Sequence, residues 1–291
     1  MLAIVIKIGH TMNMKIHGDY HTHTCFSDGK TTIIEMVRTA KERDLREIAI
    51  TDHSLNKIFK GFRKRNFERY CNECESAKSE MPVLIGLETN VVSVDGHIDI
   101  DDEMSEKLDI VLFGVHVAIF YSFRGFFTFF LPNVFFNMIH YVPQWLVRRN
   151  TKIVKKAIEK NIIDIWTHPN RYFKIDVVEV ARTCAERETL IELNSKRISF
   201  RPVDFERMVG LGAKFIINSD AHTPKRIGET SRVEEFLKNC DYNPADIINL
   251  TQTYTEYRNK GKNDDIIGTD QERNTQEQEP PKKRRGFTRW F

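Results

Sequence analysis

Seven short apolar runs, separated by amphipathic stretches, limit what this chain can fold into. They are MKIHGDY (14–20), EIAIT (47–51), VLIGLE (83–88), DIVLFGV (109–115), IDIWT (163–167), LIELN (190–194) and KFIINS (214–219). Between them lie helical patterns near 30–43, 63–79, 150–160, 176–187 and 202–210. Strands that alternate with helices predict a parallel sheet buried on both faces, hence an α/β fold. Seven such units fit a closed or nearly closed barrel, and an open doubly wound sheet is the alternative. At 291 residues the chain is long enough for one α/β barrel. Asn243-Pro244 reads as an N-cap with proline in the first helical turn, starting a last helix over 244–257. After about residue 258 the composition turns to Asn, Gln, Glu, Lys and Pro without apolar periodicity, so the expectation is a barrel domain over 1–258 and a disordered tail over 259–291.

The polar residues fall in a pattern on these strands. The first run leads into His21 and His23, two apart and therefore on one face of an extended chain, with Asp28 following in the next loop. The second leads into Thr51-Asp52-His53, the third ends in Glu88, the fourth leads to His116 and the fifth to His168. The sixth carries Glu192 and Asn194, and the seventh leads into Asp220-Ala221-His222. In a parallel barrel the C-terminal strand ends form one face, the face on which active sites are built. Six of the ten histidines lie there, whereas random placement would scatter them. Imidazole and carboxylate groups gathered at one face suit a bound divalent metal ion. His10, His97 and His140 lie outside the pattern. His17 and Asp19 share strand parity with His21 and either line the barrel below the site, with Asp19 orienting a ligand, or fill the barrel.

Five cysteines with no framework spacing favour a reducing, cytoplasmic setting. Cys71 and Cys74 form a lone CxxC inside a polar helical stretch and read as a coincidence of helix spacing. The net charge is +3, but the last ten residues, KKRRGFTRWF, hold five basic groups and no acid, and +3 less five leaves −2 for residues 1–281. The barrel is thus near neutral, which disfavours a nucleic-acid groove. The apolar start, MLAIVIKIGH, lacks the basic residue and small-residue cleavage site of a signal peptide and reads as an edge strand or as sequence ahead of a start at Met12 or Met14.

In order along the chain, HTHT…SDG, TDHS, GLE, FGVH, THP and SDAH resemble the motifs of the polymerase and histidinol phosphatase (PHP) family of metal-dependent phosphoesterases, over about residues 14–230. The resemblance implies a distorted seven-stranded (β/α) barrel, TIM-like, with its active site at the C-terminal strand ends. It implies nine metal ligands: His21, His23, Asp28, His53, Glu88, His116, His168, Asp220 and His222. One ion would take His21, His23, Glu88 and Asp220; a second His116 and His168 with Glu88 bridging; a third His53, His222 and Asp28. Glu88, Asp220 and His222 would stand closest to the reaction as catalytic residues.

Two or three divalent ions, zinc, manganese or iron, are the expected cofactors. A pair of such ions can hold a bridging hydroxide that attacks a phosphomonoester, with no protein nucleophile. Arg171, in HPNR after the fifth strand, and Lys196, after the sixth, are the cations expected to bind a small phosphorylated substrate; Arg197, Lys225 and Arg226 sit similarly. Glu192, outside the nine, is either an orienting acid or a buried barrel residue. The alternatives to a phosphatase are a nuclease processing nucleic-acid 3′ ends, with the basic tail holding the strand, and a non-catalytic scaffold, which a complete ligand set disfavours.

Residues 117–150 form a phenylalanine-rich insertion, and 125–147 carry no Lys, Arg, Asp or Glu. A membrane crossing there would part His116 from His168, and Pro132 and Pro143 interrupt a helix. The insertion is expected to be a lid over the barrel mouth or a subunit contact, with membrane-surface docking as the other reading.

Overall fold

A computed structural model describes residues 14–260 except 56, 59–61 and 118. The expected basic tail and the apolar start therefore lie outside the described residues. Seven strands form one parallel sheet in sequential order: β1 (Gly18–Asp19), β2 (Glu47–Ile50), β3 (Val83–Asn90), β4 (Ile110–Gly114), β5 (Ile165–Trp166), β6 (Leu190–Asn194) and β7 (Phe215–Asn218). Past the ends of β1 and β7, Thr22 and Ala221 pair in parallel, and His23 N–H donates to Ala221 O at 2.8 Å, so the sheet nearly closes on itself. The barrel, rather than the open sheet, is the observed architecture.

The helices cover the outside. They are α1 (Ile33–Glu42), α2 (Phe67–Ala77), α3 (Asp102–Ser105), α4 (Phe123–Gly125), α5 (Leu131–Met138), α6 (Gln144–Lys160), α7 (Val177–Glu186), α8 (Pro202–Gly210) and α9 (Ser231–Leu237). Their starts are written in the sequence. Thr32 and Glu35 form a reciprocal cap on α1, and Asp176 caps α7 by accepting from Glu179 N. Ile33, Met36, Val37 and Ala40 put the buried stripe of α1 against the sheet. Cys71 and Cys74 lie one turn apart on the buried face of α2.

Three elements differ from expectation. The helix expected near 150–160 is α6 and begins at Gln144, six residues early, because Pro143 precedes its first turn. The phenylalanine-rich insertion is itself helical: α4 runs through a π-turn, Phe126–Phe130, into α5, and the wide turn directly precedes Pro132, which cannot supply a helical N–H. The last helix is not continuous over 244–257. Asn243 caps as expected, but a short 3₁₀ turn, Pro244–Asp246, gives way to backbone that pairs Ile247 with Phe215. There Asn249 accepts from Ile217 N and donates to Gly18 O and Ile217 O, tying the β1 and β7 edges at the opposite end from the histidines. Helix resumes at 254–260.

Candidate functional site

His21 and His23 enter the barrel mouth because the residue between them is held outside it. Thr22 donates to Ala49 O at 2.7 Å, and its N–H reaches Thr51 Oγ1 at 3.0 Å. The loop that carries Asp28 is pinned by buried Asp52, which accepts from Thr24 N, Thr24 Oγ1 and Ser27 Oγ. Gly114 leaves room above β4: a Cβ there would lie 2.9 Å from His116 Cε1 and 3.1 Å from His168 Cε1. His168 and Asp220 have φ of 29° and 51°. Positive φ in non-glycine residues costs about 1–3 kcal/mol, which the surrounding packing and hydrogen bonds must offset.

The result is a cage around one carboxylate. Glu88 Oε2 lies 3.3 Å from His21 Nε2, 3.7 Å from His23 Nε2 and 3.0 Å from His53 Nδ1. Glu88 Oε1 lies 2.7 Å from His168 Nε2 and 3.5 Å from His116 Nε2. His23 stacks loosely against His53 and His222, with ring centres 4.4 and 4.2 Å away. His222 Nε2 is 3.1 Å from Asp28 Oδ1, and Asp220 Oδ1 is 3.5 Å from His23 Nε2. All nine residues implied by the resemblance are therefore in one place. They form four overlapping groups with donor atoms within 4.8 Å of one another: His23, Asp28, His53 and His222; His21, His23 and Asp220; His21, Glu88 and His168; His53, Glu88 and His116.

A second layer fixes ring orientation. Glu192 takes both roles open to it, being buried and orienting. Its Oε1 accepts from His21 Nδ1 at 2.7 Å and Asn218 Nδ2 at 3.0 Å; its Oε2 accepts from His168 N at 2.7 Å and Asn194 Nδ2 at 2.9 Å. His21 therefore carries its proton on Nδ1 and turns Nε2 to the cage. Asn90 does the same for His116. Its amide donates to Ser54 Oγ and Asp99 Oδ2, which leaves Oδ1 to accept from His116 Nδ1 at 2.5 Å. Asp19 touches no ligand side chain; it accepts from His21 N–H, from Ser219 N–H and hydroxyl and from Gly228 N–H, and so sets the backbone at His21 and just before Asp220. His17 is half-buried and takes no part in the four groups.

The electrostatics are those of a donor set. Burial pushes the Glu88 carboxyl up, but His21, His116, His53 and His168 outweigh it and hold the group well below the usual carboxylate range. Asp220 is likewise held low against burial by His21, His23 and Lys196. Burial drives His23 and His116 well below the ordinary imidazole value. His21 rises despite burial because Glu88, Glu192 and Asp220 face it, and His53 rises despite burial because of Glu88 and Asp28.

Several of these atoms have no hydrogen-bond partner although they are buried: His21 Nε2, both ring nitrogens of His23, His53 Nδ1, Asp28 Oδ1 and Glu88 Oε2. Orphaned buried polar atoms are rare and call for an explanation. All six point into the cage, and imidazole nitrogens with carboxylate oxygens are the ligands of divalent metals. The residues present thus fit metal ions.

Beside the cage lies a pocket of about 220 Å³ lined by Asp28, His53, Glu88, His116, His168, Asp220 and His222, together with Val117, Tyr172 and three cations. Two of these are the expected Arg171 and Lys196, which reach Asp220 at 2.9 and 2.8 Å. The third is Lys57, 2.5 Å from Asp28 Oδ2, which the sequence reading missed. It follows His53 by four residues, so the rule that singled out Arg171 and Lys196, a cation just past a strand end, applied to it too. Arg197, Lys225 and Arg226 do not line this pocket.

Comparison with known proteins agrees with this geometry. The PHP domain model matches residues 19–196. A probable phosphatase of Proteus mirabilis is 26% identical over 245 residues, 80% of this chain and 89% of that protein. The DNA polymerase/3′-5′ exonuclease PolX of Bacillus subtilis is 25% identical over 72% of this chain but only 34% of its own length. Among solved structures, the fold matches a histidinol phosphate phosphatase from Lactococcus lactis, complexed with zinc, L-histidinol and phosphate, at a TM-score of 0.50 and 16% identity, covering 79% of this chain and 95% of that one. A putative histidinol phosphatase from Listeria monocytogenes matches at 0.52 and 16%, covering 74% and 98%. With the family model spanning more than half of the sequence, the chain belongs to the PHP domain family and is a metal-dependent phosphoesterase.

Proposed function

We propose that the chain is a phosphatase of small phosphomonoesters that works with two or three divalent ions held by His21, His23, Asp28, His53, Glu88, His116, His168, Asp220 and His222. The observation that carries this reading is the set of unpartnered buried donors beside a pocket of about 220 Å³ walled by three cations. The donor types suit zinc, manganese or iron. Bound divalent ions supply an activated water at neutral pH and offset charge on the phosphate.

The chain's own residues do the rest. Glu192 and Asn90 fix which nitrogens of His21 and His116 face the ions. Arg171 offers a planar fork to phosphate, while Lys57 and Lys196 act as point charges. Lys57 pairs with Asp28, and Arg171 and Lys196 pair with Asp220, so all three cations stand at the wall of the pocket, within reach of a phosphate bound beside those carboxylates. Glu88, Asp220 and His222 face the reacting phosphate in this reading. The phosphate-bound structural neighbour supports a small phosphorylated substrate and makes histidinol phosphate a first compound to try.

Metal analysis and phosphate release from a panel of phosphomonoesters, comparing wild type with Glu88→Ala, test the proposal. Wild type should bind metal and release phosphate, and Glu88→Ala should do neither. A metal-loaded wild-type protein inert toward the whole panel overturns it. The nuclease reading draws on the similarity to PolX; it requires nucleic-acid turnover that removal of residues 272–291 abolishes while small-substrate turnover persists.

A further inference from the structure

The excursion between β4 and β5 turns an apolar face outward. Phe123 is 83% exposed and Met138 74%, and Phe127, Phe135, Tyr141 and Trp145 are exposed with them. A soluble surface normally scatters such residues singly. Here they fall in two clusters, one at the π-turn and one at α5. The rings of Phe123 and Phe127 lie 4.9 Å apart, and Phe136 touches both Tyr141 and Trp145, at 6.4 and 5.8 Å. The opposite side is fixed in place. Asn133 and Asn150 exchange amide hydrogen bonds, Phe129 packs on Phe173 at 5.2 Å, and Asn137 donates to Tyr172 O. Of the insertion only Val117 lines the pocket among the described residues, so the exposed face is not spent on covering the barrel mouth.

The surrounding charge is one-sided. Residues 110–158 contain no Asp or Glu. On α6, Trp145, Arg148, Arg149 and Lys152 follow i, i+3, i+4, i+7 spacing on one side, with Leu146, Asn150, Ile153 and Ala157 buried on the other. Lys155 and Lys156 are committed to Glu179 and Asp95, whereas Arg148, Arg149, Lys152 and Arg124 form no ion pair among the described residues.

We propose that this face docks on the surface of an anionic lipid membrane. Aromatic side chains settle at the boundary between headgroups and acyl chains, and a flanking basic stripe meets the anionic headgroups. No described helix is long and apolar enough to cross a membrane, so the contact is peripheral. A second copy of the chain fits less well: in a two-fold contact the face meets itself, and a segment without Asp or Glu over 110–158 offers the basic stripe no opposite charge. The inference is independent of the metal site and of the substrate.

The full chain should co-sediment with vesicles containing phosphatidylserine and not with vesicles of phosphatidylcholine alone, and added salt should release it. Replacing Arg148, Arg149 and Lys152 with Gln should weaken partitioning about 100-fold, at about fivefold for each basic group near the surface. Replacing Phe123, Phe127 and Phe135 with Ser should abolish it, while hydrolysis of a soluble phosphomonoester stays at the wild-type level. Should those variants fold poorly, lipids brominated on the acyl chains should quench the tryptophan fluorescence of otherwise unaltered protein, and Trp145→Phe should remove the quenching. No binding to either vesicle, equal binding to both, or a dimer that the Phe→Ser substitutions dissolve while vesicles stay bare overturns the proposal.

Discussion

Glu192→Gln isolates the second layer of the site from the ions it would serve. The carboxylate accepts four donors, two on each oxygen. Glutamine is isosteric but turns one acceptor into a donor, so it has two orientations and neither fits. With its oxygen toward His21, the amide group faces the His168 N–H, a backbone donor that cannot turn away, and Asn194 Nδ2. With its amide toward His21, it meets Nδ1, and His21 can respond only by moving its proton to Nε2. That atom faces Glu88 and Asp220, at 3.3 and 3.9 Å, and is the one that must be bare to bind a metal. The metal-free variant can adopt the second orientation, whereas the metal-bound variant is forced into the first. A buried unsatisfied donor costs about 1–3 kcal/mol. Metal affinity should fall by roughly 10–100-fold, the usual penalty for losing a partner of a ligating histidine. Titration calorimetry with zinc or manganese measures it, and circular dichroism confirms the fold. An intact variant that binds metal within twofold of wild type would show that Glu192 only fills the barrel.

Three further outcomes are expected. Burial lowers the His21 and His53 imidazoles, yet Glu88 with Glu192 and Asp220, and Glu88 with Asp28, raise them above their ordinary value; protons and metal ions compete for these ring nitrogens, so metal binding should weaken as pH falls and tighten as it rises, and an affinity that is the same at mildly acid and mildly alkaline pH would refute this. Saturating metal at about 100 times its dissociation constant should stabilise the fold by about 2.7 kcal/mol, and a melting temperature indifferent to metal or chelator would contradict the site. Asp19→Ala strands buried donors on Ser219 and Gly228 and should lower unfolding free energy by about 2–4 kcal/mol in urea melts; a loss below about 0.5 kcal/mol would show that these groups find other partners.

Much of this was legible in the sequence because a parallel barrel converts position along a strand into position in space. With the seven apolar runs as strands, His53, Glu88, His116 and Asp220 must meet whatever their separation. β3 runs two residues past Glu88, to Asn90. Asn90 shares the parity of Glu88 and could have been read as its companion beneath His116. The insertion was opaque for a different reason. Phenylalanine at seven of the sixteen positions over 123–138, with Leu131, Val134 and Met138 among them, hides the period that separates a helix from a strand, and here the outer face is apolar as well as the inner one. The broken last helix illustrates tertiary pairing overriding local signals, since Ile247 and Asn249 find partners on β7 that a helix would deny them.

The seam where the first and last strands meet has a bearing on how the protein is made. Half of the histidines in the cage sit within the first quarter or so of the chain, while Asp220 and His222 arrive only after the seventh strand leaves the ribosome. Until Ala221 docks beside Thr22, a nascent chain offers partial chelators, such as His21, His23 and His53, with no outer wall to exclude water. The full coordination shell cannot form before the seventh strand has been made, and any cation captured earlier must be held by fewer arms than the finished enzyme supplies.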